Sequence, residues 1–494
     1  MPNPSSPANG LEAARFQIHE IGSIMSVREC IVRVKGMPSC INGQIVDFES
    51  GGRGMVFGFN ENEVHVLVLN TKGTLHIGER VLSSGEFLSL PVGEGFRGRI
   101  VNGLCEPVDG LGPIPSQDNY PVFREAPGVM DRVPVKETLE TGTILLDAVI
   151  PIAKGQRQLL IGDRLTGKTT VAVDVILNQA NLDVVCVYCC IGKPLSSLQK
   201  VLNLFQERGV LPYTIVVSGV ASASMGEQYL APYTATMLGE YFMNKGKDVF
   251  VVFDDLTKHA WVYRQISLLI ERAPGREAYP GDIFYVHSQM MERAGYLKEE
   301  LGGGSMTFFP IVEILQGDVT GYISSNLISM TDGQIYFSTA LFNKGIRPAI
   351  DFGLSVSRIG NKAQWPAMKA LSSQLRLEYI QYQELLQMTQ LRTTGLSREA
   401  EDRMKRGQAI TQLLIQDKNK PMSMEAEIMY LFALSMGLLD TLSTNDVKKF
   451  KDEFVPLVER EFPDLFKEIR TTQILNDTSI EMLYEALNHY FAQV

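Results

Sequence analysis

No apolar run in this 494-residue sequence approaches the roughly 20 residues that span a bilayer, so no transmembrane helix is expected. The N-terminus has no charged start followed by an apolar stretch, and no secretory signal is read there. The expected setting is the cytosol, or a surface facing it. Cysteine is scarce: Cys30, Cys40, Cys105, Cys186, Cys189 and Cys190 are all there are. Three of them fall in the strand-like run Val184–Ile191, where reduced, buried thiols are expected rather than metal or redox chemistry. A basic excess is missing too, because 46 Lys and Arg face 56 Asp and Glu, a net charge of −10. A sequence-independent nucleic-acid binder needs a large basic surface, so no nucleic-acid partner is expected.

What is present is a globular composition, 45% hydrophobic and 21% charged, in a chain too long for one core. Met1–Gly10 is rich in Pro, Ser and Asn and reads as a mobile tail. Residues 1–87 hold short strand-like pieces: Cys30–Lys35, Gly43–Phe48, Met55–Phe59 and Val64–Leu69. The last two flank a hairpin turn at Asn60-Glu61-Asn62-Glu63. Such strands with glycine punctuation predict a small antiparallel β-barrel. Residues 88–364 alternate apolar strands with helical stretches, which predicts an α/β domain with a parallel sheet. Its expected buried strands are Gln158–Ile161, Val184–Ile191, Thr214–Val217, Asp248–Phe253 and Ile283–Val286. In residues 365–494 glycine becomes scarce and apolar spacing shifts to three and four, which predicts a helical bundle. Ser443 with Asp446, and Thr478 with Glu481, read as capping boxes, and Pro421 as a helix start.

The strongest motif is Gly162-Asp163-Arg164-Leu165-Thr166-Gly167-Lys168-Thr169, set between the Gln158–Ile161 strand and a helix over Thr169–Asn178. GxxxxGKT in this context is a phosphate loop. Its glycines let successive N–H groups curl toward phosphate oxygens, and the helix N-terminus adds its positive end. Lys168 would neutralise the β and γ phosphates of ATP or ADP, and the Thr169 hydroxyl would hold Mg2+. The run Val249–Phe253 ends in Asp254-Asp255. Acids at the carboxyl end of a buried strand lie where ligands bind in open α/β sheets, so Asp254 is the second expected metal-holding group.

Several further stretches carry a family resemblance. They are Gly155-Gln156-Arg157, Asp254–Lys258, Pro274–Asp282, Ile328–Gln334, and Pro348–Asp351 followed by Ser355-Val356-Ser357-Arg358. Together with the phosphate loop they closely resemble the alpha subunit of the F-type rotary ATP synthase, over roughly residues 20 to 440. The resemblance implies a β-barrel, a P-loop (RecA-like) nucleotide domain and an α-helical domain, in that order. It implies a ring of three alpha and three beta subunits around a gamma-type central shaft, with a delta-containing peripheral stalk. The complex would lie on the cytoplasmic face of the inner or plasma membrane, coupled to an ion-translocating sector. Beta subunits would hold the catalytic sites, and alpha subunits would bind nucleotide without turning it over.

Two residues divide those roles. The strand after the phosphate-loop helix leads into Gly192-Lys193-Pro194, and Lys193 aligns with a glutamate that positions water in the catalytic beta relatives. An ammonium is no base at neutral pH, so Lys193 reads as a phosphate contact or an exposed lysine. Arg358 reads from its sequence context as a structural salt bridge or an arginine finger; the resemblance implies the finger, reaching a neighbour's γ-phosphate. Arg164 reads as a phosphate contact or an interface residue, Gln158 as a strand residue. Gln416 aligns with a family glutamine near adenine, while Lys418 replaces a second.

Other departures are Leu165 where the family usually has glutamine, no evident stalk-docking helix in Met1–Ala14, and Leu391–Ser397 in place of an acidic loop. The rival readings are a homohexameric export-type ATPase, a ring translocase on RNA, and a vacuolar-type subunit. The first needs a glutamate where Lys193 stands, the second a basic face, and the third a lost phosphate loop.

Overall fold

The structure is a computed structural model that describes residues 20–390 and 397–493. The N-terminal tail and most of the Leu391–Ser397 departure lie outside the described residues. The chain forms two compact units. One runs to Leu88 and includes Ser224–Gly226 and Leu269–Glu271; the other holds Ser89–Ala223, Glu227–Leu268 and the chain from Arg272 onward.

The first unit is a closed barrel of six antiparallel strands: Glu20–Arg28, Ile31–Lys35, Gln44–Phe48, Gly52–Phe59, Val64–Thr71 and Arg80–Phe87. Alternation fills it. Val32 and Val34 point inward beside Val46, Val56, Val66 and Val81, all essentially without solvent contact. Gly54 faces the same interior, where a Cβ would stand 2.3 Å from Val66 Cγ1, so only glycine fits. The hairpin at Asn60–Glu63 forms, with Asn60 Oδ1 accepting from the N–H groups of Asn62 and Glu63. The first strand left little trace in the sequence because three of its four larger apolar residues, Ile21, Met25 and Val27, are exposed and only Ile24 is buried.

In the second unit one sheet runs Val356–Ser357, Gly333–Phe337, Leu159–Asp163, Ser305–Ile314, Asp248–Asp254, Val184–Ile191, Thr214–Gly219 and Ile100–Asn102. All neighbours pair in parallel except the edge strand Val356–Ser357, which is antiparallel. Every residue of Val184–Ile191 is buried, as a strand covered on both faces requires. Cys186 and Cys189 have C-x-x-C spacing, but an odd separation on a strand sends their side chains to opposite faces. All six cysteines are buried and free.

One expected strand is a helix. Ile283–Val286 lies inside Ile283–Met291, which buries Ile283, Val286, His287, Met290 and Met291 and exposes Phe284 and Tyr285. Spacing of three and four is helical, and a four-residue window is too short to show it. The sheet position belongs instead to Ser305–Ile314, masked in sequence by Pro310. Pairing with Asp248–Asp254 ends at Pro310, and the register with Leu159–Asp163 starts at Ile311.

The C-terminal part is helical from Pro366 onward. Ser397, Ser423 and Ser443 cap their helices through N–H groups three residues on, and the Ser443–Asp446 capping box is reciprocal. The other expected starts shift. Ser423, not Pro421, caps Met424–Ser435. Thr478 falls inside Asp477–Gln493, and Asn476 Oδ1 accepts from Ser479 N at 2.7 Å, so no capping box forms with Glu481.

Candidate functional site

The phosphate loop joins the strand Leu159–Asp163 to the helix Lys168–Asn178. Its two glycines serve different needs. At Gly162 a Cβ would stand 2.5 Å from the Phe337 carbonyl oxygen, so glycine permits close approach of two strands. Gly167 has open space around it but sits at φ +101°, a backbone state that glycine favours. Arg164 and Leu165 form the exposed apex, with Leu165 at φ +64°. Asp163 ties the loop to its neighbours, accepting from Gly317 N at 2.9 Å and Thr339 Oγ1 at 2.7 Å. Thr166 Oγ1 donates to the Asp163 carbonyl at 2.8 Å. Lys168 is buried and donates to the carbonyls of Gly162 and Asp163 at 2.7 and 2.6 Å. Burial lowers its pKa to about 8, against the pull of Glu313, Asp255 and Asp254.

Beside the loop lies a compact charge cluster. Asp254 is fully buried, and its Oδ2 accepts from Thr169 Oγ1 at 2.9 Å and Tyr188 Oη at 2.7 Å. Its Oδ1 takes no conventional hydrogen bond; its contact is the ammonium of Lys193. The same ammonium donates to Thr169 Oγ1 at 3.1 Å. Lys193 is therefore neither an exposed surface lysine nor remote from the loop. Asp255, also buried, is pushed up to about 6 by desolvation, and Lys258 Nζ bridges it to Glu313 at 3.1 and 3.2 Å. A hydroxyl and a carboxylate are donor types that magnesium takes, so the chemistry of Thr169 and Asp254 suits that ion. Among the described residues no cluster of three or more His, Cys, Asp or Glu could hold a metal.

Loop and cluster line one cavity of about 850 Å³. Among the described residues seven cationic side chains border it, Arg164, Lys168, Lys193, Lys258, Arg347, Lys418 and Lys420, against four acidic ones. In a chain of net charge −10, that local reversal favours an anionic ligand. Lys418 thus stays at the cavity wall. Gln416 lines it too, but its amide is engaged: Nε2 donates to the carbonyls of Gly142 and Lys420 at 2.7 and 2.8 Å, and Oε1 accepts from Ile144 N at 3.3 Å.

Arg358 lies elsewhere. It follows the edge strand Val356–Ser357, and its backbone N–H bonds the Asp332 carbonyl at 2.9 Å. Gly162 pairs opposite Phe337, whereas Ser357 pairs opposite Gly333. The loop and Arg358 thus sit toward opposite ends of the same strands, roughly 16 Å apart along them at ~3.3 Å per residue. Its backbone is tightly framed: Gln158 Nε2 donates to Val356 O at 3.1 Å, Ser357 Oγ to Pro151 O at 2.7 Å, and Arg157 pairs with Asp332. The guanidinium itself is exposed, donates weakly to Thr331 O at 3.5 Å, and has no ion-pair partner among the described residues. The salt-bridge alternative for Arg358 therefore has no partner within the described chain.

The sequence matches the ATP synthase alpha/beta family, nucleotide-binding domain, over residues 142–357, and the ATP synthase alpha/beta chain, C terminal domain, over residues 364–490. It is 43% identical to the ATP synthase subunit alpha of Clostridium acetobutylicum over 485 residues, 98% of this chain and 96% of that protein. This chain belongs to the ATP synthase alpha/beta family. The corresponding subunits of Clostridium botulinum and Wolinella succinogenes are 43% and 42% identical, covering 92% and 96% of this chain and 90% and 94% of theirs.

Within the ATP synthase alpha/beta family, nucleotide binding by this domain is the shared property, and the fold follows the family order of barrel, nucleotide domain and helical domain. Sequence reasoning missed Glu313, the last residue but one of Ser305–Ile314, because that strand went unread. Recognising the strand would have placed a carboxylate at its carboxyl end, beside Asp254 and Asp255. The Tyr188 hydroxyl was missed as well, since a tyrosine in an all-buried strand carries no signal of a polar partner.

Proposed function

We propose that this chain is the non-catalytic, nucleotide-holding alpha-type subunit of an F-type rotary ATP synthase. Gly162–Thr169 cradles the phosphates of ATP or ADP, with loop N–H groups and Lys168 supplying positive charge. Thr169 and Asp254 are the donor types that a magnesium ion accompanying ATP would take, but the Lys193 ammonium already sits on both. Gln416 shapes the far wall, where the base would lie, by tying Gly142 to Lys420. Beta subunits in a three-plus-three ring, a gamma-type shaft and a delta-containing stalk are the expected partners. The assembly would sit on the cytoplasmic face of the membrane over an ion-translocating sector.

The observation that carries the non-catalytic reading is the Lys193 ammonium on Asp254, at the strand end where a water-activating carboxylate would be needed. Arg358 then acts on a neighbour. Its side chain has no ion-pair partner among the described residues and its backbone is held by hydrogen bonds, the combination that suits a guanidinium aimed across an interface. Purified alone, the chain should bind ATP and release almost no phosphate; sustained phosphate release would refute the assignment. In a reconstituted ring, Arg358→Ala should lower turnover by about 10³-fold or more while both subunit types still bind nucleotide. Turnover that survives the substitution would remove the finger.

A further inference from the structure

Thr169 and Asp254, the two groups suited to a divalent ion, already hold a cation. The Lys193 ammonium contacts Asp254 Oδ1 and lies 3.1 Å from Thr169 Oγ1. The remaining carboxylate oxygen, Oδ2, is taken by the hydroxyls of Thr169 and Tyr188. Asp254 is thus buried with both oxygens engaged and its charge matched by one tethered cation.

The lysine is placed by its backbone rather than by chance of rotamer. Gly192 sits at φ +61° and its N–H bonds the Gly219 carbonyl at 2.7 Å. The Lys193 carbonyl accepts from Ala221 N at 2.9 Å. Both bonds join the end of Val184–Ile191 to the adjacent strand's exit, and the Lys193 side chain is only 16% exposed. Lys168 and Lys258 stand in the same cluster. A magnesium ion entering here would need oxygen ligands at ~2.0–2.1 Å from the two groups that Lys193 holds, and would meet the Lys193 ammonium at both of them.

We propose that Lys193 is a built-in monovalent cation that takes the place of the divalent ion, so that this site holds a metal-free nucleoside di- or triphosphate. An ammonium has three donors. Thr169 Oγ1 takes one while the charge sits against Asp254, which leaves a donor for a β- or γ-phosphate oxygen. The assignment rests on the nucleotide reading of Gly162–Thr169.

The test is a titration of the full chain with a fluorescent ADP or ATP analogue, in magnesium and in EDTA. Wild-type affinity should change by less than about threefold between the two, whereas Lys193→Gln should lose about tenfold or more in EDTA and recover it with magnesium, the scale of one charge-assisted hydrogen bond. Manganese in place of magnesium gives a second readout by electron paramagnetic resonance: no immobilised ion on wild type with nucleotide bound, and a stoichiometric one on Lys193→Gln. Wild-type affinity that falls about tenfold or more in EDTA, or an immobilised manganese ion on wild type, would overturn the proposal, and this arm needs no variant to fold. Binding that requires magnesium removes only the role of Lys193. Absence of binding in both conditions removes the nucleotide reading with it.

Discussion

Replacing Glu427 with glutamine should stabilise the protein at neutral pH, contrary to the usual effect of a substitution at a fully buried position. Glu427 lies on Met424–Ser435 without solvent contact, and neither of its carboxyl oxygens has a hydrogen-bond donor among the described residues. The group facing it is Asp147, itself 1% exposed, whose carboxyl accepts from the N–H groups of Thr141 and Gly142 at 3.0–3.1 Å. The nearby acids Glu140 and Glu425 both engage Arg470, which leaves that guanidinium committed. Two facing acids with no cation of their own are satisfied by a proton between them. Burial pushes Asp147 up to about 7, and burial followed by the charge of Asp147 pushes Glu427 well above the usual carboxylate range.

Because both folded values are raised, the folded state holds protons that the unfolded chain has released above pH ~4. The stability from this pair is complete below that pH. It falls as pH rises toward 7, where Asp147 ionises, and Glu427 stays protonated beyond. Each retained proton costs about 1.4 kcal/mol per pH unit. Glutamine is neutral at every pH and gives the Asp147 carboxylate an N–H donor. Glu427→Gln should therefore match wild type within roughly 1 kcal/mol at pH 5 and exceed it by roughly 2–4 kcal/mol at pH 7. Urea unfolding at a series of pH values, without nucleotide, measures the difference. A variant with the wild-type pH slope, or one less stable at pH 7, would show that no proton is shared.

Other expectations follow from single contacts. Arg293 has no solvent contact and forks onto Glu240 at 2.6 and 2.7 Å while donating to Val122 O at 2.9 Å. Arg293→Met leaves the Glu240 carboxylate with the looser Arg124 ion pair at 3.7 Å and should cost roughly 3–5 kcal/mol in denaturant unfolding. Gly162→Ala should lower stability by roughly 1–3 kcal/mol, because its Cβ meets the Phe337 backbone. Gly167→Ala has room and strains only the loop, so nucleotide affinity should fall more than the melting temperature does; equal effects of the two glycine substitutions would refute the distinction.

What was legible in the sequence was local. The phosphate loop declares itself within eight residues, and Asp254 follows a buried apolar run, so each could be placed without knowing its neighbours. The barrel was readable from its hairpin at Asn60–Glu63, but not its first strand, whose outward apolar residues blur the alternation. Ile283–Val286 and Ser305–Ile314 exchanged roles for opposite reasons: a short apolar window hid a helical period, and Pro310 hid a central strand. Lys193 was legible as a missing base. Its hold on Asp254 and Thr169 was not, because that depends on three strand ends meeting in space. The Asp147–Glu427 pair joins positions 280 residues apart, which no local pattern can announce.

Arg358 and the phosphate loop share one piece of sheet. Gln158, the residue immediately before the loop strand, grips the carbonyl of Val356, and Gly333–Phe337 pairs with both strands. Three hydrogen-bonded strands make a stiff strut, with the cradle of the phosphate loop motif at one end and the exposed Arg358 guanidinium at the other. Tilting the cradle by a few degrees moves the far end in proportion to the strut's length. Under the proposed function, a nucleotide on the loop and the aim of Arg358 at a neighbour would be coupled through this strut.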